Sequence, residues 1–381
     1  MRVVLFYPWL PAPAAGHGSA TLLGATLPEL QRKAEIHLVC GRTPHEEGLE
    51  SSVRACVASA RIIERPVVAE LKGLARLGES AGTLVKTALQ GLPLFAAKQW
   101  RRALRQALAD VVREQRPDLL HIEIGAAAPY AALFAGLPSV LVDHEVLDSP
   151  VQRSFVAKHY ARCRGVMALC SHDAEVLADL LGHEVPVRPV ALPRRDRVAR
   201  RSIAGRLLFV GSARHQPNHE ALRFLVAEVL PVLARAGLDQ RPELHVVGAT
   251  AEEYGIEPTA GLVFRGRVPE LGAELAEAAL VLAPVNEGGG VRIKNCEAVQ
   301  SGTPLLTTPL GMRGLEEFAS FVSIAPRRQF AATILQELRE PAAAEARALA
   351  GANAWAAGRR SEDSAALTFD LWQSVCRSAR G

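Results

Sequence analysis

The chain has 381 residues, of which 49% are hydrophobic and 22% charged, with a net charge of +4. That length holds two domains with sizeable cores, and so small a charge gives no reason to invoke nucleic acid as a partner. Aromatic residues reach only 5%, without the basic, aromatic-interleaved patches of a nucleic-acid channel, and no stretch approaches the uninterrupted apolar length of a membrane helix.

Residues 3–7 read as a buried strand; the apolar run after Arg2 is short and holds Pro8, which favours a first strand over a cleaved signal. A Pro and Gly loop then carries Gly16, His17, Gly18 and Ser19 immediately before a helical period over 21–33, a place for backbone N–H groups to meet phosphate or acceptor. Residues 36–40 form the next strand. Segment 71–105 alternates apolar and basic residues, with Lys72, Arg76, Lys86, Lys98, Trp100, Arg101, Arg102 and Arg105. It suits an anionic membrane surface, or a plain amphipathic helix packed on its domain with a solvated basic face.

Further short strands are expected over 119–124, 140–142 and 165–169, with helices between them. Alternation puts His121 and Glu123 on one face of their strand, either as a polar pair near a sheet end or as part of an acceptor site. Asp143, His144 and Glu145 follow the strand 140–142 at its carboxyl end, where open parallel sheets place ligands. Prolines at 186, 189 and 193 mix with six arginines between 188 and 201, the composition of an exposed connector. The strand pattern then restarts over 206–210, 244–247, 262–264, 280–283 and 305–308. The domains expected are therefore 1–187, 188–204 as a linker, 205–358, and a final helix over 359–381 that can pack back on the first domain. Six cysteines without C-x-x-C or zinc-ligand spacing read as reduced thiols.

The richest stretch is 280–311. An apolar strand is followed by Gly288, Gly289 and Gly290, then a helix over 291–300 that opens with Val291, Arg292 and Lys294. Glycines let an anion approach the backbone, and a helix N-terminus offers free N–H groups with partial positive charge. Glu297 lies two turns beyond the bend, about 10 Å along the axis, where a carboxylate holds ribose hydroxyls if the bend holds a diphosphate. The plainer alternative is a surface pair with Lys294.

The ordered motifs Phe209-Val210-Gly211-Ser212, Pro217-Asn218, Val246-Val247-Gly248, Phe264-Arg265-Gly266, Gly288 to Glu297 and Gly302-Thr303-Pro304 resemble the nucleotide-sugar half of retaining glycosyltransferases of family 4. The likeness runs over about 207–315 and more loosely through the first half. It implies an α/β fold of two Rossmann-like, doubly wound domains facing a central cleft (GT-B), with a nucleoside diphosphate sugar as co-substrate and no other cofactor. It also implies transfer to the hydroxyl of a glycan, a lipid-linked or a small-molecule acceptor with retained anomeric configuration, in the cytoplasm or peripherally at the inner face of a membrane.

Residue by residue, Glu297 matches the second of the family's two glutamates, and the first falls on Gly289. This is the pattern of a subset with three glycines and a basic pair, here Arg292 and Lys294; Glu287 lies two residues early. The family's arginine slot holds Ser212 and its lysine slot Pro217 or Asn218, so Arg214, Arg292 and Lys294 are the substitutes. The resemblance places His144 beside the donor sugar, Gly16 and Gly18 under the diphosphate, and Gly211, Gly266, Arg267 and Val268 along the nucleotide. With no D-x-D and no metal-ligand spacing, metal-independent transfer is expected. The alternatives are a GT-B sugar nucleotide epimerase, a non-catalytic sugar nucleotide binder acting as a partner subunit, and a Rossmann oxidoreductase, which the missing G-x-G-x-x-G disfavours.

Overall fold

The computed structural model describes residues 1–146, 149–194, 198–213, 215–257 and 259–380, with their side chains except at 69, 74, 76 and 380. The chain forms two compact units, one of residues 1–193 with 360–381 and one of 194–359. In the first, β1 (Arg2–Tyr7), β2 (Glu35–Arg42), β3 (Ser59–Glu64), β4 (Leu119–Glu123), β5 (Ser139–Val142) and β6 (Gly165–Met167) make a parallel sheet in the order β3-β2-β1-β4-β5-β6. In the second, β7 (Arg206–Val210), β8 (Glu243–Val247), β9 (Leu262–Gly266), β10 (Leu280–Ala283), β11 (Leu305–Thr307) and β12 (Ser323–Ile324) run β12-β11-β10-β7-β8-β9. Both orders are the doubly wound arrangement. Its connections reverse between β1 and β4 and between β7 and β10, and ligands bind outside the carboxyl ends of the strands at such a reversal.

The local reasons are simple. Strand β1 is apolar on both faces because both are covered: Val3, Leu5 and Tyr7 join one core, and Val4 and Phe6 the other. The first of these cores includes Ala20, Leu23, Leu27 and Leu30 of helix Gly18–Gln31 and Ala365, Trp372 and Val375 of helix Ser361–Arg380. The last helix thus completes the first unit although it follows the second in sequence. In the second unit Leu207, Phe209, Leu244, Val246, Leu280 and Leu282 pack against Leu222, Leu225, Phe330 and Ile334.

The connector expected over 188–204 behaves differently at its start. Arg188, Val190, Ala191 and Leu192 are buried in the first unit, and exposed chain begins at Arg194; Arg195 and Arg197 lie outside the described residues. The six cysteines are free thiols.

Trp372 is fully buried, and its indole Nε1 donates to His121 Nδ1 at 2.9 Å. Replacing Trp372 with Ala opens a large cavity and is expected to cost about 3–5 kcal/mol, read as a lowered urea midpoint; an unchanged midpoint would show that the C-terminal helix is not part of the first core.

Candidate functional site

In the second unit the carboxyl ends of β7, β8 and β9 carry Gly211, Gly248 and Gly266. Gly211 N–H donates to Val247 O at 2.9 Å, and Gly248 N–H donates to Gly266 O at 2.8 Å. A Cβ on Gly211 would stand 2.9 Å from Asn218 Cγ and from Tyr254 OH. One on Gly248, whose φ is +112°, would strike the Gly211 carbonyl. Gly266 has φ +66° and open space where a side chain would lie. Glycine at 211 and 248 lets these strand ends and Asn218 approach closely.

Asn218, in the helix Gln216–Phe224, donates from Nδ2 to Ser212 O at 2.9 Å and accepts at Oδ1 from Lys294 Nζ at 2.8 Å. Lys294 also sits 5.2 Å from the Phe209 ring centroid, a cation–π distance. An ammonium therefore occupies the neighbourhood of Asn218, where the sequence resemblance puts a lysine, but a different helix delivers it. Burial, and then the charge of Arg292, push the Lys294 pKa down to about 8.

The helix Ile293–Ser301 begins two residues later than the expected 291, with Arg292 extended at its N-cap and no side chain capping its first turn. The N–H groups of its first two residues point beyond the helix end, whereas that of Asn295 turns back to Arg292 O at 2.9 Å. Arg292 folds back over the bend, donating from Nη2 to Glu287 O at 3.0 Å, and a Cβ on Gly288 would meet that guanidinium at 3.0 Å. Gly288 and Gly290 have φ +93° and +70°, conformations that glycine adopts freely. On this helix Asn295, Cys296, Ala298 and Val299 are buried, while Lys294 and Glu297 share the half-exposed side one turn apart. Asn295 anchors the helix by donating to Thr307 Oγ1 (3.1 Å) and Gly311 O (2.8 Å). Val268 and Val291 are half-buried, Gly289 follows Gly288 in the bend, and Arg214 lies outside the described residues.

In the first unit the β1–β4 reversal holds a second group. His17 caps the helix Gly18–Gln31, accepting from Ala20 N at 3.3 Å. Gly16 is left-handed at φ +79° with open space around it, and Gly18 is the first helical residue. The His17 ring lies 5.9 Å from that of Trp9, and its Nε2 is buried without a hydrogen-bond partner among the described residues. Burial, then Arg65 and His144, lower its pKa to about 4.

Glu123, the last residue of β4, is completely buried. It accepts from His121 Nε2 at 2.6 Å, from His144 Nε2 at 2.7 Å and from both terminal nitrogens of Arg188, Nη2 being very close. Burial opposes its charge, yet Arg188 and the two histidines together hold its pKa well below the usual carboxylate range. Arg188 is positioned by a parallel bridge between Ala168 and Val187 and by its own N–H, which donates to Ala168 O at 2.8 Å. The next residue, Ile124, has φ +85°, a costly conformation for a β-branched side chain. Gly125 lacks the Cβ that would collide with Tyr160 OH and Asp143, which are themselves hydrogen-bonded at 2.6 Å.

Alternation of β4 signalled the His121 and Glu123 pair. Arg188 and Trp372 gave no sequence signal, since one lies in what reads as a linker and the other in a terminal amphipathic helix. Among the described residues no group of three or more His, Cys, Asp or Glu side chains is placed to hold a metal ion.

Residues 204–340 match the family of glycosyl transferases group 1. Among curated proteins none matches the chain. Solved structures similar along nearly the whole length include the sucrose-phosphate synthase of Thermosynechococcus elongatus, with a TM-score of 0.68 and 14% identity over 99% of both chains. Another is the Escherichia coli trehalose-6-phosphate structure bound with UDP-2-fluoro glucose, with a TM-score of 0.66 and 12% identity over 98% of this chain and 99% of that one. The N-terminal domain of the Candida albicans trehalose-6-phosphate phosphatase gives 0.67 and 11% over 98% and 96%. The fold is GT-B.

His17 supplies a pH test. Its folded pKa of about 4 lies below the ordinary 6.5, so between those values the unfolded chain binds more protons. Its contribution to stability is complete above 6.5 and is lost as the pH falls toward 4. Asp143, raised to about 6 from 3.8 by burial, acts in the opposite sense, so the readout is the difference from a variant. His17→Asn, which keeps a capping side chain, is expected to lose less stability than the wild type between pH 7 and 4.5 in urea titrations; equal losses would refute the burial of His17.

Proposed function

We propose that the protein transfers a sugar from a nucleoside diphosphate sugar to an acceptor hydroxyl, with retention of anomeric configuration and without a metal ion. The observation that carries this reading is the half-buried Lys294 ammonium, held by Asn218, which also grips the Gly211–Ser212 turn at the β7–β10 reversal. A fixed cation and a helix start without a side-chain cap suit a diphosphate leaving group. The match of 204–340 to the group 1 glycosyl transferases covers this same region.

In this reading the bend 288–290, the helix N-terminus, Arg292 and Lys294 stabilise the departing diphosphate, Glu297 holds the ribose, and Gly266 and Val268 line the base. The first unit contributes Gly16, Gly18, His144 and the acceptor site, His144 hydrogen-bonding the transferred sugar. The departing phosphate helps take the acceptor proton, so no separate base is needed.

Thermal-shift screening of UDP-, GDP-, ADP- and TDP-sugars tests the reading, a ligand at a hundredfold its Kd adding about 2.7 kcal/mol. Glu297→Ala is expected to weaken nucleotide binding, and Arg292→Ala and His144→Ala to slow turnover, Arg292→Ala by about 100-fold. Diphosphate affinity should fall as the pH rises through about 8, where Lys294 loses its proton, and Lys294→Met should remove that dependence. Binding without hydrolysis or transfer would point to a non-catalytic binder, and sugar interconversion without an acceptor to an epimerase. Unchanged behaviour in all the variants would discard the site.

A second reading, peripheral contact with an anionic membrane, rests on helix Gly73–Gln90. Leu77, Leu84 and Leu89 on it are 66%, 64% and 81% exposed, and Val85 also faces solvent. At helical spacing these four fall within an arc of about 140°. Exposed Lys72, Lys98 and Arg102 lie nearby in sequence, so the solvent face is apolar with basic flanks, the composition that binds headgroups and acyl chains together. Among the described residues no helix is long and apolar enough to cross a membrane. The protein should sediment with phosphatidylglycerol vesicles but not with phosphatidylcholine ones, and the double substitution Leu84→Glu with Leu89→Glu should abolish this; wild-type protein that stays in the supernatant would rule the contact out.

A further inference from the structure

Four groups bear on the tautomer of His144. Trp372 Nε1 is only a donor, so His121 Nδ1, 2.9 Å away, accepts and His121 Nε2 carries the proton. That proton is donated to Glu123 Oε2 at 2.6 Å. Arg188 supplies two further donors and keeps the carboxylate ionised. An ionised carboxylate only accepts, so His144 Nε2, 2.7 Å from Oε1, must also carry its proton. The remaining nitrogen, His144 Nδ1, makes no hydrogen bond among the described residues.

We infer that Glu123 is a positioning residue that holds His144 with a proton on Nε2 and leaves Nδ1 as the nitrogen available to a ligand, so that the ring in its neutral form presents a hydrogen-bond acceptor and recognises a ligand hydroxyl donor such as a sugar O–H. This rests on the proposed transfer reaction and names what His144 selects. The arrangement is held from four parts of the chain: β4, the residues after β5, the bridge at Val187 and the C-terminal helix. The strained Ile124 directly after Glu123 marks a backbone bent away from its preferred conformation at this carboxylate. A deoxy donor sugar lacking the contacted hydroxyl leaves the bare nitrogen without a partner.

Selective 15N-histidine labelling and long-range 1H–15N NMR of the whole protein test the assignment with no substrate present, His144→Gln identifying the resonances. Protonated Nε2 and bare Nδ1 for His144 near neutral pH are expected, and a proton on Nδ1 would overturn the inference. Glu123→Gln can turn its amide toward Nε2 and so reverse the tautomer. It is expected to lower kcat by about 10-fold or more with nucleotide affinity unchanged, and to have no further effect in a His144→Ala background. Multiplicative losses in the double variant would show that Glu123 acts on the fold alone. Should Glu123→Gln fail to fold, the wild-type spectrum still decides. The expected spectrum without turnover of any sugar nucleotide would count against the transfer reaction and not against the tautomer; turnover with the opposite tautomer would do the reverse.

Discussion

A carboxylate removed from water must be surrounded by donors, and Glu123 satisfies this with His121, His144 and Arg188 drawn from separate parts of the first unit. Losing one partner of such a group leaves an uncompensated charge in a low-dielectric interior, a penalty of several kcal/mol. The elements that carry these partners are therefore fixed in one arrangement. Arg188 comes from the last stretch before the chain enters the second unit, and Trp372 from the helix that follows its return. The discontinuous first unit is thus joined at one buried polar centre as well as by its apolar core.

The second unit meets the opposite problem. Lys294 is a cation that has lost part of its water, compensated by the Asn218 amide oxygen and the face of Phe209 and, among the described residues, by no carboxylate in an ion pair. Its depressed pKa reflects that incomplete compensation together with Arg292. Perturbed titratable groups of this kind cluster at functional sites. Glycines at 211 and 248 let the strand ends pack closely, because a side chain there would collide with Asn218 or with the Gly211 carbonyl.

The two units repeat one strand order, and in each the unusual side chains cluster at the carboxyl ends of the strands flanking the reversal. His17, Glu123 and His144 do so in one, Lys294 and Arg292 in the other. The shared topology explains why short apolar strands and glycine turns recur with similar spacing in both halves of the sequence. It does not explain the chemistry, which differs between the halves and comes from a handful of side chains.

Much of the framework was legible from residue pattern alone. Continuous apolar runs such as Val3 to Tyr7 are compatible only with a strand covered on both faces, and period two put His121 and Glu123 side by side. The bend at 288–290 and the helix after it follow from local backbone preference. Strand β3, whose sequence Ser-Ala-Arg-Ile-Ile-Glu mixes charge with apolar residues, and the two-residue β12 escaped notice because edge strands need little burial. Only tertiary packing could bring Lys294 to Asn218 across 76 residues, Arg188 to Glu123 across 65 and Trp372 to His121 across 251. Local preference extends over a few residues, whereas the neutralisation of a buried charge depends on whichever distant group the fold delivers to it.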